Sequence, residues 1–389
     1  MMGHYSKEKC ELCGKCLSEC PVLEMDSETA RASIRLLSEG KWVPGVLERC
    51  TGCMSCEAIC PNGANPFGLL ISHFSERYKK EGIPRIFESA MPQRKGPNIW
   101  KTSQKWFSAD EKKNLSLWSK PPKGKEVLFL GCNQRLTPYI ASTPIFEDIE
   151  IFTDPDECCG ELYLRLGLFE EARKRASSLS RKLKELGIEK ITAFCPACQN
   201  MMQNLSPNLL GVQFDFEVTG LVDWLLEWLE RNQSRVQNQS KKVTVQDPCH
   251  ASGLGENTAR KVRDILERIG FTVVEMENCG LKAECCGLGA SVSRYRIDDV
   301  AKTALRRVIQ AKKTDAQITC AWCNGCYITM NIARLIYSIT PPVFHLIELV
   351  ELSSGGIPKR KMPARAFQLI AAGAESLTRD GFKLRREWL

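Results

Sequence analysis

Eight cysteines in the N-terminal part of the chain form two runs with identical spacing. In each run the four cysteines are separated by two, two and three residues, and a proline follows the last one. The runs consist of Cys10, Cys13, Cys16 and Cys20, and of Cys50, Cys53, Cys56 and Cys60. Thiolates are soft ligands for iron and zinc, but zinc-binding pairs usually stand apart as separate CxxC elements. Four thiols within eleven residues therefore favour iron–sulfur clusters over a pair of zinc sites.

This spacing is similar to that of bacterial ferredoxins, whose two runs exchange their fourth cysteines between two clusters. The resemblance implies two cubane 4Fe–4S clusters with crossed sets of ligands. The first set is Cys10, Cys13, Cys16 and Cys60, and the second is Cys50, Cys53, Cys56 and Cys20. The N-terminal part is thus predicted to carry electrons.

The other twelve cysteines show a second repeated pattern, in which a single cysteine precedes Cys-Cys-Gly and then a CxxC pair. The first unit contains Cys132, Cys158, Cys159, Cys195 and Cys198, and the second contains Cys249, Cys285, Cys286, Cys320 and Cys323. Their offset of about 120 residues indicates an internal duplication. Cys279 and Cys326 are left over. We expect Cys279 to be structural and Cys326 to lie beside the second ligand set, with a ligand role for Cys326 as the alternative.

The doubled cysteines also have a chemical implication. Five thiolates exceed the four terminal positions of a cubane, so a cluster that uses all five is opened or shares a cysteine between irons. Adjacent side chains point apart in regular structure, so two neighbouring cysteines that face one cluster need an irregular loop. The glycine that follows them supplies backbone freedom and a close approach to the cluster. The alternatives are zinc ligands or small buried hydrophobic residues.

Together these motifs resemble the CCG-domain family. It includes the B and D subunits of heterodisulfide reductase and iron–sulfur subunits of anaerobic glycerol-3-phosphate dehydrogenase, glycolate oxidase and lactate-utilisation systems. A doubled ferredoxin motif ahead of two CCG domains is the D-type layout, equivalent to fused C and B subunits, and the likeness covers about residues 5–350. It implies a noncubane 4Fe–4S cluster on the five cysteines of each unit. Some relatives hold zinc or nothing in one unit, so one or two such clusters are expected.

The resemblance and the strand patterns together predict an α+β multidomain fold, with an N-terminal α-helical ferredoxin module followed by two duplicated α/β CCG domains. Short apolar runs at 127–130, 191–194, 243–245 and 316–319 are typical of buried parallel strands that deliver ligands at their carboxyl ends. The predicted divisions are a ferredoxin domain, a basic linker, two CCG domains and a basic tail. Their bounds are 1–90, 91–124, 125–235, 240–350 and 351–389.

The formal net charge of +8 is concentrated in two segments. Residues 91–125 hold nine Lys and Arg against two acidic residues, and residues 355–389 hold eight against three. We expect both segments to contact other subunits of a redox complex, of flavin, hydrogenase or dehydrogenase type, with an ordinary solvated linker as the alternative. The sequence has no nucleic-acid recognition motif and no dinucleotide or Walker fingerprint, so neither nucleic acid nor flavin or NAD is expected to bind.

The localisation follows from the thiols and from the hydropathy. Closely spaced cysteines without secretory features imply metal binding and not a disulfide scaffold. No apolar run approaches the ~18–20 residues of a membrane span. We expect a cytoplasmic protein whose membrane contact is peripheral or made through partners.

The favoured function is an iron–sulfur electron-transfer subunit of a multi-subunit anaerobic oxidoreductase of the heterodisulfide reductase D type. The alternatives are a catalytic subunit that reduces disulfides, a subunit that links a flavin dehydrogenase to quinone, and a conduit in an aromatic acyl-CoA reductase complex. The first CCG unit has 25 residues before its paired cysteines and the second has 35, which leaves less room for a bulky disulfide. His250 is either a proton shuttle or sulfur hydrogen-bond donor at the second set, or a histidine satisfied by backbone.

Overall fold

Two four-stranded parallel sheets follow a helical N-terminal region in the computed structural model, which describes residues 5–93, 96–294, 296 and 298–379. The predicted fold class, a helical ferredoxin module before two α/β CCG units, is confirmed. None of the described helices is long and apolar enough to cross a membrane.

The N-terminal region is built from five helices. They are α1 Lys15–Ser18, α2 Ser27–Ser38, α3 Pro44–Leu47, α4 Ser55–Ile59 and α5 Pro66–Glu81. The carboxylate of Asp26 accepts hydrogen bonds from the backbone N–H groups of Glu28 (3.0 Å) and Thr29 (2.9 Å), as expected of a residue that caps a helix. Helices α2 and α5 bury their apolar faces against each other and so hold the two cysteine runs side by side.

The first sheet has the strand order β2-β1-β3-β4 with every neighbour parallel. Central strands β1 and β3 are buried, which explains their continuous apolar sequences. The elements are β1 Glu126–Phe129, α8 Gly131–Gln134, β2 Glu150–Phe152, α9 Glu161–Arg165, α10 Phe169–Glu185, β3 Lys190–Ala193, α11 Pro196–Asn200 with a π-helical continuation Met201–Leu210, β4 Glu217–Gly220 and α12 Leu221–Asn232.

The second sheet repeats this topology, with parallel strands in the order β6-β5-β7-β8. The equal strand order supports the duplication that the cysteine pattern indicates. The elements are β5 Lys241–Gln246, α13 Ala251–Leu254, α14 Glu256–Arg268, β6 Phe271–Val273, α15 Leu288–Arg294, α16 Asp299–Lys313, β7 Ile318–Ala321, α17 Asn324–Ile336, β8 Val343–His345 and α18 Leu346–Ser353. Strand β7 lies two residues later than the predicted run at 316–319, which changes the residues that follow its end.

The two basic segments pack against each other. The linker contains α6 Ile99–Thr102 and α7 Ala109–Trp118, and the C-terminal segment contains α19 Met362–Arg379. The buried carboxylate of Glu111 in α7 accepts from Arg365 (2.6 Å) and Lys361 (3.2 Å), while Glu375 of α19 pairs with Lys105. Each segment therefore neutralises a carboxylate of the other.

Contacts between distant parts of the chain use arginine side chains and backbone carbonyls. Arg77 donates to the carbonyl of Ser293 at 2.7 Å, and Arg365 donates to the carbonyl of Leu136 at 2.7 Å. Arg165 donates to the carbonyl of Gly52 at 2.5 Å and so joins the first CCG unit to the second cysteine run. These bonds fix the helical N-terminal region against both CCG units.

Both pairs of adjacent cysteines lie in irregular loops, and each loop ends in a glycine in the left-handed region. Gly160 has φ +90° and Gly287 has φ +105°. A Cβ on Gly160 would lie 2.7 Å from the carbonyl oxygen of Ala172, and one on Gly287 would lie 2.4 Å from that of Val300. The predicted irregular loop is therefore found. The close approach is made to the backbone of the second helix after each glycine, α10 or α16, and not to the thiols.

Gly160→Ala is expected to destabilise the protein more than Gly187→Ala. Gly187 has a comparable φ of +70° but nothing within 4 Å of its Cβ position, so only the backbone cost of about 1–2 kcal/mol applies. At Gly160 overpacking adds about 1–3 kcal/mol. Equilibrium denaturation of the purified variants measures the difference in unfolding free energy. Equal losses at the two glycines would contradict the packing role.

Candidate metal centres

The first predicted ferredoxin ligand set surrounds one small pocket. Its walls include Cys10, Cys13, Cys16 and Cys60, so the fourth cysteine of the second run lies with the first three of the first run. Burial raises the pKa of the Cys16 thiol to about 12, and the neighbouring thiols of Cys60, Cys10 and Cys13 add to the shift. A thiolate here thus needs a cationic partner, as metal binding would supply.

The second set lies beside the first and also contains the crossed cysteine. Cys20, Cys50, Cys53 and Cys56 line one pocket, which Cys16 of the first set also touches. Burial raises the pKa of Cys50 to about 12 and that of Cys20 to about 11. The backbone N–H of Gly52 donates to the Cys50 sulfur at 3.4 Å, a type of contact that raises the reduction potential of a sulfur-bound cluster.

In the first CCG unit all five predicted thiols come together. The Sγ atoms of Cys132 and Cys158 lie 3.9 Å apart, and those of Cys159 and Cys198 lie 3.6 Å apart. These separations are contacts between free thiols and far exceed the ~2.05 Å of a disulfide bond. Cys195 directly precedes α11 and Cys198 lies within it, where helix N–H groups favour negative charge. Five buried soft donors at one point fit an iron–sulfur group.

In the second CCG unit four of the predicted thiols come together, and the fifth member of the group is Cys326. Cys249 contacts Cys285, Cys286 contacts both Cys285 and Cys326, and Cys326 contacts Cys323. Cys323 directly precedes α17 and Cys326 lies in its first turn, which repeats the placement of Cys195 and Cys198.

The structure corrects the assignment of Cys320. This residue lies within β7, is fully buried, and has Asp247, Arg263 and Glu348 as its charged neighbours. Its thiol contacts none of the five that converge, because β7 continues to Ala321 before the chain turns toward the site. We therefore replace Cys320 with Cys326 in the second ligand set.

The intervals between cysteines in the sequence also indicate which CxxC pair belongs to the second ligand set. In the first unit 35 residues separate Cys159 from Cys195, and in the second 36 separate Cys286 from Cys323, against 33 for Cys320. Phe194 and Trp322 also precede the two matching cysteines as equivalent aromatic residues. A comparison of the two units residue by residue identifies Cys323 and Cys326 as the counterpart of the first CxxC.

Both CCG ligand sets open onto one shared cavity of about 60 Å³. Its walls include Cys132, Cys158, Cys159, Cys195, Cys198, Cys249, Cys286, Cys323 and Cys326. Cys195 of the first set forms a hydrogen bond with Cys323 of the second, so the sets touch. The carboxyl ends of β3 and β7 therefore meet face to face. Cys279 lies outside this group, with its thiol hydrogen-bonded to Glu275.

The cavity also contains a buried charged group that the sequence patterns did not reveal. Arg165 donates to the sulfur of Cys249 at 3.0 Å and forms an ion pair with Glu161. Nδ1 of His250 accepts from Asn200 at 3.2 Å, and Nε2 faces the Glu161 carboxylate at 3.0 Å. Burial alone would raise the pKa of Glu161, but the Arg165 charge and the His250 hydrogen bond lower it to about 2. His250 is therefore satisfied by side chains, whereas a sulfur or backbone partner was expected.

Comparison with protein families agrees with these sites. The cysteine-rich CCG domain matches residues 128–203 and 243–331, and the 4Fe-4S dicluster domain matches residues 6–64. The chain thus contains two matches to the CCG domain and one to the dicluster domain. Each match of the CCG domain contains one five-thiol group, and that of the dicluster domain contains both ferredoxin-type sets.

Relatives of this CCG-domain protein include components of methanogen reductases. It is 26% identical over 327 residues to the D subunit of the dihydromethanophenazine:CoB–CoM heterodisulfide reductase of Methanosarcina mazei, and the alignment covers 79% of this chain and 77% of the relative. The corresponding protein of Methanosarcina barkeri is 24% identical over 391 residues, with 90% and 94% covered. The B subunit of the fumarate reductase (CoM/CoB) of Methanothermobacter marburgensis is 26% identical over 338 residues, with 81% and 66% covered. The protein is an iron–sulfur protein related to these subunits.

Similarity to solved structures is low. A hypothetical protein from Helicobacter pylori aligns with a TM-score of 0.39 and 13% identity over 88% of this chain and 77% of that one. At this score the likeness supports no inference about fold or function.

The reassignment of the second ligand set predicts opposite results for two serine substitutions. Cys326→Ser should lower the iron content of the anaerobically purified protein and remove the electron paramagnetic resonance (EPR) signal of one CCG site. Cys320→Ser should leave both unchanged, since its thiol contacts no other ligand. The inverse result, with loss of iron only in Cys320→Ser, would favour Cys320 as the ligand.

Proposed function

We propose that this protein is an electron-transfer subunit of a multi-subunit oxidoreductase and holds four iron–sulfur clusters in one continuous series. The observation that carries this proposal is the contact between successive thiol sets. Cys16 borders both ferredoxin-type pockets, Arg165 links the Cys50–Cys53 loop to Cys249, and Cys195 meets Cys323. When bound, iron–sulfur clusters accept and release single electrons.

In this proposal the residues fix the order of the sites. The set with Cys10 is followed by the set with Cys50, then by the second CCG set with Cys249, and finally by the first CCG set with Cys132. The loop of the Cys50 set lies beside Ser293 of the second CCG unit, and the Arg165 guanidinium that binds Gly52 of this loop also reaches Cys249 of the second set. The CCG units are proposed to hold noncubane clusters, in keeping with their five-thiol groups.

The shape of the shared cavity supports transfer of electrons over turnover of a large substrate. The cavity of about 60 Å³ is walled by the thiols of both CCG sets, so its space is that of the proposed metal sites and not of a separate substrate pocket. Nine thiols and the Arg165 guanidinium already converge there. Disulfide reduction is the second candidate function, because two relatives are named as parts of heterodisulfide reductases and two redox sites that face each other suit a two-electron reaction.

A partner protein with an acidic surface is proposed to dock on the basic linker and α19. Glu111 and Glu375 pair with cations inside this region, whereas Lys112, Lys113, Lys359 and Arg360 are exposed. Phe367 and Ile370 are exposed on α19 and add apolar contact area. Charge reversal of Lys112 and Lys113 should weaken retention of the copurifying partner and leave iron content unchanged.

The cluster content is the direct test of this proposal. The anaerobically purified protein should contain about sixteen irons per chain, four at each of four sites. Cys286→Ser should interrupt electron flow through the parent complex, because Cys286 contacts two other thiols of its set. Cys279→Ser is the matched control and should leave the flow intact. About eight irons per chain, with zinc or no metal in the CCG units, would refute the four-cluster series.

The choice between conduit and reductase predicts a further result. With an artificial electron donor, the isolated chain should reduce a bulky thiol heterodisulfide slowly compared with its rate of electron transfer to a small one-electron acceptor. The reason is the limited space between the two CCG sets. Steady-state rates with both acceptors make the comparison. Rapid heterodisulfide turnover would establish the reductase alternative.

A further inference from the structure

The Arg165 side chain contacts two different parts of the redox series. It ends α9 of the first CCG unit and is 3% exposed. Its Nη1 donates to the carbonyl of Gly52, between Cys50 and Cys53, at 2.5 Å, and its Nη2 lies 3.0 Å from the sulfur of Cys249. The guanidinium thus lies between a ferredoxin-type set and the second CCG set.

We propose that Arg165 positions and electrostatically tunes the second CCG site, so that this site draws electrons from the ferredoxin-type set with Cys50. This inference rests on the proposed function, in which both sites hold clusters. One-electron transfer removes one negative charge from the Cys50 set and adds one at the second CCG set, with no bond made or broken. A buried cation that donates to the Cys249 sulfur stabilises the added charge and raises the reduction potential there.

The first CCG set lacks an equivalent donor. Among the described residues no arginine or lysine hydrogen-bonds to Cys132, Cys158, Cys159, Cys195 or Cys198. Arg135 is near Cys132, but the carboxylates of Asp154 and Asp156 also act on it, and it donates no hydrogen bond to a thiol of this set. Both sets do receive the same backbone contact, from the N–H of Gly160 to Cys158 (3.4 Å) and from that of Gly287 to Cys285 (3.3 Å). Among the described residues, the two duplicated sites therefore differ in one respect: the second has an arginine, Arg165, that donates a hydrogen bond to one of its sulfurs.

The Glu161 carboxylate reduces the effect of Arg165 on the reduction potential of the second CCG site. A substitution of Glu161 therefore provides a second test of that effect. Its carboxylate pairs with Arg165 and also faces Nε2 of His250. This anion offsets part of the guanidinium charge, while Nη2 remains the cationic group nearest to Cys249. Removal of the carboxylate should therefore act in the opposite direction from removal of the guanidinium.

The experiment is an EPR-monitored redox titration of the anaerobically purified full chain. The signal of the second CCG site is identified as the one lost in Cys326→Ser. Arg165→Gln should disfavour electron transfer from the Cys50 set to this site at least tenfold, which is a 59 mV change in the difference between the two potentials for one electron, while the potential of the Cys10 set stays constant. Glu161→Gln should raise the potential of the same site.

Arg365→Gln is the matched control. Arg365 is equally buried, pairs with the buried Glu111 and donates to a backbone carbonyl, but contacts no thiol. The Arg365→Gln substitution should lower the free energy of unfolding and leave the reduction potentials of all four sites unchanged. An unchanged potential in Arg165→Gln with full iron content would overturn the inference and leave the four-cluster series intact. If Arg165→Gln does not fold, an unchanged or lowered potential in Glu161→Gln overturns it. Iron missing from the CCG units of the unmodified chain would instead refute the proposed function.

Discussion

Two adjacent cysteines face one site in each CCG unit because the chain leaves regular structure there and turns sharply against a helix. A strand or helix would send the two side chains apart. The glycine that follows each pair adopts positive φ, and its missing Cβ is what lets the loop lie on the backbone of Ala172 or Val300. The glycine N–H then points at the first sulfur of the pair. Thiol convergence in both CCG units depends on this turn.

The remaining thiols are positioned by the parallel sheets, and the arrangement is the same in both CCG units. In each unit a buried central strand ends just before a cysteine at a helix N-terminus, and the next turn of that helix supplies a second thiol. Because the carboxyl ends of the two sheets face each other, duplicated sites become neighbours. A hydrogen bond with Cys158 and burial raise the pKa of Cys132, whereas hydrogen bonds with neighbouring thiols lower the pKa of Cys158, Cys195 and Cys286. Because the ionisation of these thiols depends on their contacts with one another, metal binding and the final packing of the site are linked.

Much of this arrangement can be predicted from local sequence patterns. The incorrect or missing predictions concern residues whose positions depend on contacts between distant parts of the chain. The ferredoxin spacing, the duplication and the four central strands β1, β3, β5 and β7 were readable from cysteine intervals and apolar runs. Cys320 was misassigned because three cysteines at equal intervals allow two registers, and only the end of β7 distinguishes them. No sequence pattern indicated that Arg165 lies at the redox sites. Its partners Gly52 and Cys249 lie 113 and 84 residues away in sequence, and contacts over such separations leave no periodic pattern.

The carbonyl acceptors of the interdomain arginines have an evolutionary consequence. Arg77, Arg165 and Arg365 each reach a backbone oxygen, which every amino acid provides. The hydrogen bond itself therefore constrains the donor and not the side chain of the acceptor, although Gly52 is constrained separately by its positive φ and by Ser293. Lineages in which the ferredoxin and CCG parts are encoded by separate genes would face a low barrier to fusion.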